Sequence, residues 1–215
     1  WLAQHGACHL VLASRSGALA RHTETEWEAV QASDATTDCT RCDTSEAVHV
    51  HRLAAFAPSL KGIWHAAGVL ADAMLPKQYP PGLARVYAPK AHGAWCLRRA
   101  CSALRMSAFT VFSSVAALLG GAGQANYAAA NACLDALSVC SRANGRAGVS
   151  VQWGAWAEIG MAARGAASVQ DHMTAYAAPE LLDRNTKCPH CPALGSCFAT
   201  RRLARVGHFL VARLC

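Results

Sequence analysis

A tyrosine, a serine, a lysine and an asparagine are the residues of this chain whose types and spacing could do chemistry together. Tyr127 lies in Gln124-Ala125-Asn126-Tyr127-Ala128-Ala129-Ala130-Asn131, downstream of the apolar run Phe109-Thr110-Val111-Phe112 that ends in Ser113-Ser114. A strand ending in Ser114 presents a hydroxyl at the carboxyl edge of a parallel sheet. A following helix puts Tyr127 and Asn131 one turn apart on one face. A phenol titrates near ~10, so it releases a proton at neutral pH only where a cation or hydrogen bonds stabilise the phenolate. The nearest candidate cation is Lys90, in Tyr87-Ala88-Pro89-Lys90-Ala91-His92-Gly93-Ala94-Trp95. The chemistry to which such a set points is reduction of a carbonyl.

The elements that must position these four groups follow from the hydrophobic pattern. Residues 1–6 read as the end of a helix closing at Gly6, and 9–13 as a buried parallel strand leading into Ser14-Arg15-Ser16-Gly17. Weaker signals predict a helix over 24–32, a strand over 36–42 and a helix over 45–56. Gly62-Ile63-Trp64-His65-Ala66-Ala67-Gly68 reads as a strand running into a turn of small residues, through which a backbone can approach a ligand. A helix over 87–104 carries Lys90, a strand leads into Ser114, a long helix spans 126–144, and a last strand spans 149–153. This alternation predicts an α/β fold, a right-handed, doubly wound parallel sheet of the Rossmann type. In such a fold the end of the second strand reads the adenosine ribose, with an acid for NAD and an Arg where a 2′-phosphate must be bound, so Arg15 argues for NADPH.

The blocks together resemble the ketoreductase domain of type I polyketide synthases, a branch of the short-chain dehydrogenase/reductase superfamily. The resemblance rests on His65-Ala66-Ala67-Gly68-Val69-Leu70, Ala88-Pro89-Lys90, Phe112-Ser113-Ser114-Val115-Ala116, Gly123 to Asn131, and Trp153-Gly154-Ala155-Trp156, in the family's order. Ordinary short-chain dehydrogenases place a Lys four residues after the Tyr. Here that position is Asn131 and the Lys lies upstream at Lys90, a swap characteristic of polyketide and fatty acid synthase ketoreductases. The resemblance implies that Tyr127 protonates a β-keto oxygen as NADPH delivers hydride, that Ser114 orients that oxygen, and that Lys90 and Asn131 support the phenol and a proton relay. It also implies a cofactor wall made by Ser14, Arg15, Asp43, His65, Ala66, Ala67, Gly68 and Gly154. Asp43, in Cys42-Asp43-Thr44, is equally a good residue to start a helix, and both readings stand. The substrate implied is a β-ketoacyl thioester on the phosphopantetheine arm of an acyl carrier domain, with neighbouring synthase domains as partners. Leu118-Leu119 stand where one stereochemical class carries a Trp, and Leu70-Ala71-Asp72 keeps one of the two Asp of the other class, although Ala122 replaces its usual Pro. The resemblance therefore favours the D-configured alcohol.

The family's first strand and its glycine-rich phosphate loop are expected ahead of Trp1. The chain is accordingly read as an N-terminally truncated domain over 1–163, with a poorly matched segment over 164–215. Without the first strand, a groove with unpaired backbone edges, poor solubility and little activity alone are expected. A catalytically inactive structural remnant is thus the main alternative reading.

Composition narrows the class. Hydrophobic residues make up 53% and charged residues 15% of the 215 residues, which indicates a buried core. No run approaches ~18 apolar residues and no signal-like segment opens the chain, so a cytoplasmic protein without membrane contact is expected. The net charge of +7 has contributions from Arg98, Arg99, Arg105, Arg201, Arg202 and Arg205. No recognition helix or aromatic platform accompanies it, so no nucleic acid is expected; an acidic carrier domain or cofactor phosphates suit the sign as well. Eleven scattered cysteines, an odd number, predict reduced thiols. Cys188-Pro189-His190-Cys191 with Cys197, and Cys39-Thr40-Arg41-Cys42, are the only candidates for a zinc-binding alternative, and neither has a well-spaced second pair nearby.

Overall fold

In a computed structural model the described residues are 2–19, 23–154 and the strand 209–214. Their strands are β1 (Ala7–Ser14), β2 (Thr36–Arg41), β3 (Gly62–His65), β4 (Ala108–Ser114), β5 (Val149–Trp153) and β6 (Phe209–Leu214). Between them run α1 (Glu24–Gln31), α2 (Ala47–Phe56), α3 (Pro80–Tyr87), a π-helical turn (Ala88–His92), α4 (Gly93–Ala100), the short α5 (Ala116–Leu119) and α6 (Ala125–Ala143). They form one six-stranded sheet in the order β2-β1-β6-β3-β4-β5.

Alternation along the strands explains the two-sided packing, because successive side chains point to opposite faces. Val11 and Ala13 of β1, Ile63 of β3 and Phe109 and Val111 of β4 enter one core with Val50 and Leu53 of α2, Ala94 and Leu97 of α4 and Leu134 of α6. Their neighbours Leu10, Trp64 and Phe112 enter a second cluster with Leu2, Ala7 and Ala35, against which Val30 of α1 packs. Strands buried on both faces are near-continuous hydrophobic runs, as here. β3–β4 and β4–β5 are parallel, in registers that pair His65 with Val111 and Ser114 with Trp153. The ends of β3, β4 and β5 therefore share one edge of the sheet.

Three expectations need correction. The sheet is mixed: β6 runs antiparallel to both β1 and β3. The open groove expected beside β1 is filled by this strand, which falls on the apolar stretch 208–214. The helix expected over 87–104 instead runs from Pro80 to Ala100: it starts at Pro80-Pro81, residues whose fixed φ suits a first helical turn, and widens into the π turn where Pro89 has no N–H for a helical hydrogen bond. Finally, Cys8 is disulfide-bonded, against the expectation of reduced thiols throughout, while Cys39, Cys42, Cys96, Cys101, Cys133 and Cys140 are free.

Candidate active site

The catalytic candidates converge at the carboxyl edge of β4. Strand β4 delivers Ser113 and Ser114 on opposite sides of the sheet. Ser113 is buried and its hydroxyl donates to the Asn131 carbonyl at 3.2 Å, fastening α6 to the strand. Ser114 is half-buried, and its Oγ accepts the Ala116 N–H at 3.2 Å where α5 begins.

Helix α6 carries Tyr127 and Asn131, one turn apart as expected. Asn131, fully buried, donates from Nδ2 to the Tyr127 carbonyl at 2.8 Å. Its Oδ1 accepts from Lys90 Nζ at 2.8 Å, and the same ammonium donates to the Phe112 carbonyl at 3.0 Å. Lys90 is 3% exposed, and its Nζ stands 5.2 Å from the centroid of the Tyr127 ring. Lys90, Asn131, Tyr127 and Ser114 are thus brought into one cluster.

Electrostatics give the cluster its character. Burial lowers the Lys90 pKa to about 7, partly opposed by Asp135, so the amine exchanges protons near neutrality. Burial raises the Tyr127 phenol, against the opposing side-chain interactions with Asn131 and Ser114; Asp72 pushes it further up. Asn131 and Ser114 favour the phenolate, and burial outweighs them. The ammonium faces the ring and gives its hydrogen bonds to Phe112 and Asn131, whereas the phenol itself is largely out of water.

The start of α6 is fixed by groups that spacing alone did not single out. Asn126 is buried; its Oδ1 accepts the Tyr127 N–H at 2.7 Å and its Nδ2 donates to the Ala71 carbonyl at 2.7 Å. Gln124 Nε2 reaches Asp72 Oδ2 at 3.1 Å, and Ala73 N–H donates to the Gly123 carbonyl at 2.9 Å, with Gly123 at φ 73°. The segment 71–73 is thereby pinned to the amino end of the helix that carries the phenol. The sequence signal for Asn126 was its place among the polar residues just before Tyr127. Leu118 and Leu119 on α5 are each 71% exposed.

The cofactor-wall candidates divide into two groups. At the β3 end, His65 is fully buried, and burial followed by the nearby Lys90 charge lowers its pKa to about 4. Its Nε2 lies 2.9 Å from the Pro89 carbonyl and 3.3 Å from that of Lys90. Ala66, Ala67 and Gly68 follow outside any helix or strand, and a Cβ on Gly68 would come within 2.8 Å of Lys90 Cε. The small residue there makes room for the lysine stem. A Cβ on Gly154, just beyond β5, would meet nothing within 4 Å among the described residues.

At the β1 end, the Ser14 carbonyl accepts Cys42 N–H at 2.8 Å and Gly17 N–H at 3.2 Å, while Ser14 Oγ accepts Gly17 N–H at 3.0 Å. Arg15 is exposed. Asp43 Oδ1 accepts the Ser45 N–H at 3.0 Å and the Ser45 hydroxyl at 2.6 Å, the turn from which α2 starts. Burial acts to raise the Asp43 pKa, but the Ser45 donors, Arg15 and His49 outweigh it and the carboxyl titrates low. Arg15 and Asp43 are therefore electrostatic neighbours, on the far side of β6 from the catalytic cluster.

Among the described residues no three His, Cys, Asp or Glu side chains are grouped to hold a metal, and the stretch 188–197 lies outside them. Arg98, counted with the basic surface, is 8% exposed and lies over the Phe109 ring at 5.4 Å. Among the described residues no helix is long and apolar enough to cross a membrane.

Comparison with known proteins gives this geometry a family. The KR domain profile matches residues 1–158. Polyketide synthase GfsB of Streptomyces halstedii is 43% identical over 171 residues, which is 78% of this chain and 3% of that protein. The phenolphthiocerol synthesis polyketide synthase Pks15/1 of Mycobacterium marinum is 39% identical over 160 residues, 73% of this chain and 8% of that protein. The chain thus spans a small part of the length of the synthases it matches. A solved structure described as an A1-type ketoreductase superposes with a TM-score of 0.72 at 34% identity, covering 80% of this chain and 37% of that one. The chain belongs to the ketoreductase (KR) domain family of polyketide synthases, on the short-chain dehydrogenase/reductase fold.

Proposed function

We propose that this chain reduces a β-ketoacyl thioester, carried on an acyl carrier domain, to the β-hydroxyacyl thioester with NADPH as hydride source, as one domain among the others of a synthase. The observation that carries this reading is the buried contact of Lys90 Nζ with Asn131, one turn from Tyr127 and beside Ser114. The domain is read as spanning 1–163.

The residues fit NADPH at its two ends. The exposed Arg15 guanidinium at the tip of β1 suits a 2′-phosphate, and Asp43 lies beside it. At the other end, the run 66–68 carries only small residues beyond β3, with the Lys90 stem packed against Gly68. When bound, the cofactor supplies a hydride to the carbonyl carbon.

The chain's own groups then handle the oxygen. Ser114 Oγ donates a hydrogen bond to it and fixes its direction. Tyr127, kept protonated by burial, gives its phenolic proton to the alkoxide as charge develops. Lys90, with a pKa of about 7, stands over the phenol ring and is held there by Asn131, which suits it to restore the proton to Tyr127. The D-configured alcohol is favoured by Asp72, which is held at the start of α6 by Gln124, and by the Leu118-Leu119 pair. The class name of the A1-type neighbour belongs to that protein.

The test is NADPH oxidation with a β-ketoacyl N-acetylcysteamine thioester in the full-length protein, beside Tyr127→Phe. Loss of the general acid should lower kcat by roughly 10²–10⁴-fold with cofactor binding retained. A wild-type protein that binds NADPH but never turns over would instead establish the inactive structural remnant.

A further inference from the structure

We propose that His65 is a positioning residue: by donating from Nε2 to the Pro89 carbonyl it seats the π-helical turn that aims Lys90 at Asn131 and Tyr127. This rests on the ketoreductase reading above and names the group that holds its proton relay in place.

The argument starts from Pro89. A proline inside a helical path removes one N–H and clashes with the preceding turn, and here the chain widens into a π turn between α3 and α4. Widening leaves carbonyls to be satisfied from outside the helix. Two side chains converge on the Pro89 carbonyl: His65 Nε2 at 2.9 Å and Thr44 Oγ1 at 3.4 Å. Both partners of His65 Nε2, the Pro89 and Lys90 carbonyls, are acceptors only, so this nitrogen carries the proton. The ring thus bridges the backbone of the residue before Lys90 and of Lys90 itself.

The surroundings leave this seat little play. His65 is fully buried at the end of β3, and Thr44 is 3% exposed. A Cβ on Gly93, the first residue of α4, would come within 2.5 Å of Thr44 Oγ1, so the turn is pressed against the threonine. On its other side Lys90 passes Gly68, where a Cβ would come within 2.8 Å of its stem. The titratable and charged groups around Lys90 are His65 from β3 and Tyr127 and Asp135 from α6. His65 itself, pushed down to about 4, stays neutral across the working range, which separates its role from that of a proton carrier.

The test reads Lys90 directly, without turnover. Lysine labelled with 13C at Cε has only four positions in this chain, Lys61, Lys77, Lys90 and Lys187, and an NMR pH titration assigns each. Wild-type Lys90 should titrate near 7. His65→Leu should unseat the turn, hydrate the ammonium and move this midpoint upward by about one unit or more. His65→Gln, which can place an amide N–H near Nε2, should restore most of it. Thr44→Val, which removes the longer second contact while keeping the shape, should move it the same way but less, and decides the matter should His65→Leu not fold. A Lys90 midpoint unchanged in His65→Leu or, where that variant does not fold, in Thr44→Val, or already near 10.5 in the wild type, overturns the proposal. In the full-length protein, His65→Leu should lower kcat roughly 10–100-fold and shift its pH profile with the Lys90 midpoint, leaving KM nearly unchanged. Because the titration needs no substrate, a failed ketoreductase assay with Tyr127 intact would sink the functional reading alone.

Discussion

Replacing Lys90 by Met should turn the burial of its ammonium into a pH-dependent stability difference that can be measured. Lys90 titrates near 10.5 in an unfolded chain and at about 7 in the fold, so between these values the unfolded state holds a proton that the folded state has lost. Stability from this group therefore rises with pH across that window. It is at its lowest below pH 7, where the native state must hold a buried charge. The slope is about 1.4 kcal/mol per pH unit, or about 3 kcal/mol between pH 7.5 and 9.5. Lys90→Met keeps most of the stem and cannot titrate. It leaves the Phe112 carbonyl and Asn131 Oδ1 without their donor, at about 1–3 kcal/mol each, but that cost does not vary with pH. Subtracting the two proteins cancels the other titrations, including those of Cys42 and Cys101, whose thiols are pushed up to about 11 by burial. Urea unfolding of the 215-residue chain and its variant at half-unit intervals is the assay. A difference that stays flat between pH 7.5 and 9.5 would refute the buried, low-pKa lysine and with it the relay.

Two further outcomes follow from packing. Gly68→Ala should push against Lys90 Cε and lower turnover by roughly tenfold or more while the folded state persists, seen as reduced kcat with an unshifted circular dichroism spectrum. Phe109→Ala, at a fully buried ring in the main core, should cost about 3–5 kcal/mol by chemical unfolding; a cost under 1 kcal/mol would contradict the placement of β4 at the centre of that core.

Much of this arrangement was legible because it is local and periodic. The strand ending at Ser114 and the helix carrying Tyr127 and Asn131 each announce themselves by apolar spacing and end within a residue or two of the expected bounds. The route of Lys90 into the cluster was less so. A helix over 87–104 puts that residue on the right element, but its inward aim depends on the π turn, on Gly68 and on two side chains from distant segments, none of which spacing reports. Pro80-Pro81 and Pro89 were the available signals, the first pair marking a helix start and the other a break. The filling of the sheet by β6 was not legible at all, since its apolar stretch pairs with strands well over a hundred residues away and in the reverse direction from the rest. Asp43 shows a different limit: one residue type serves a helix-starting turn and a ligand wall equally, and the turn is what its hydrogen bonds describe.

The position of β6 bears on how the molecule is made. Every ladder hydrogen bond joining β2-β1 to β3-β4-β5 passes through Phe209–Leu214. The facing edges of β1 and β3 are synthesised first and cannot be closed by this strand until the ribosome has read nearly 150 residues further, a delay on the order of ten seconds. Until then both edges lack the hydrogen bonds that Phe209–Leu214 supplies, so any partner they hold in the meantime must give way to it.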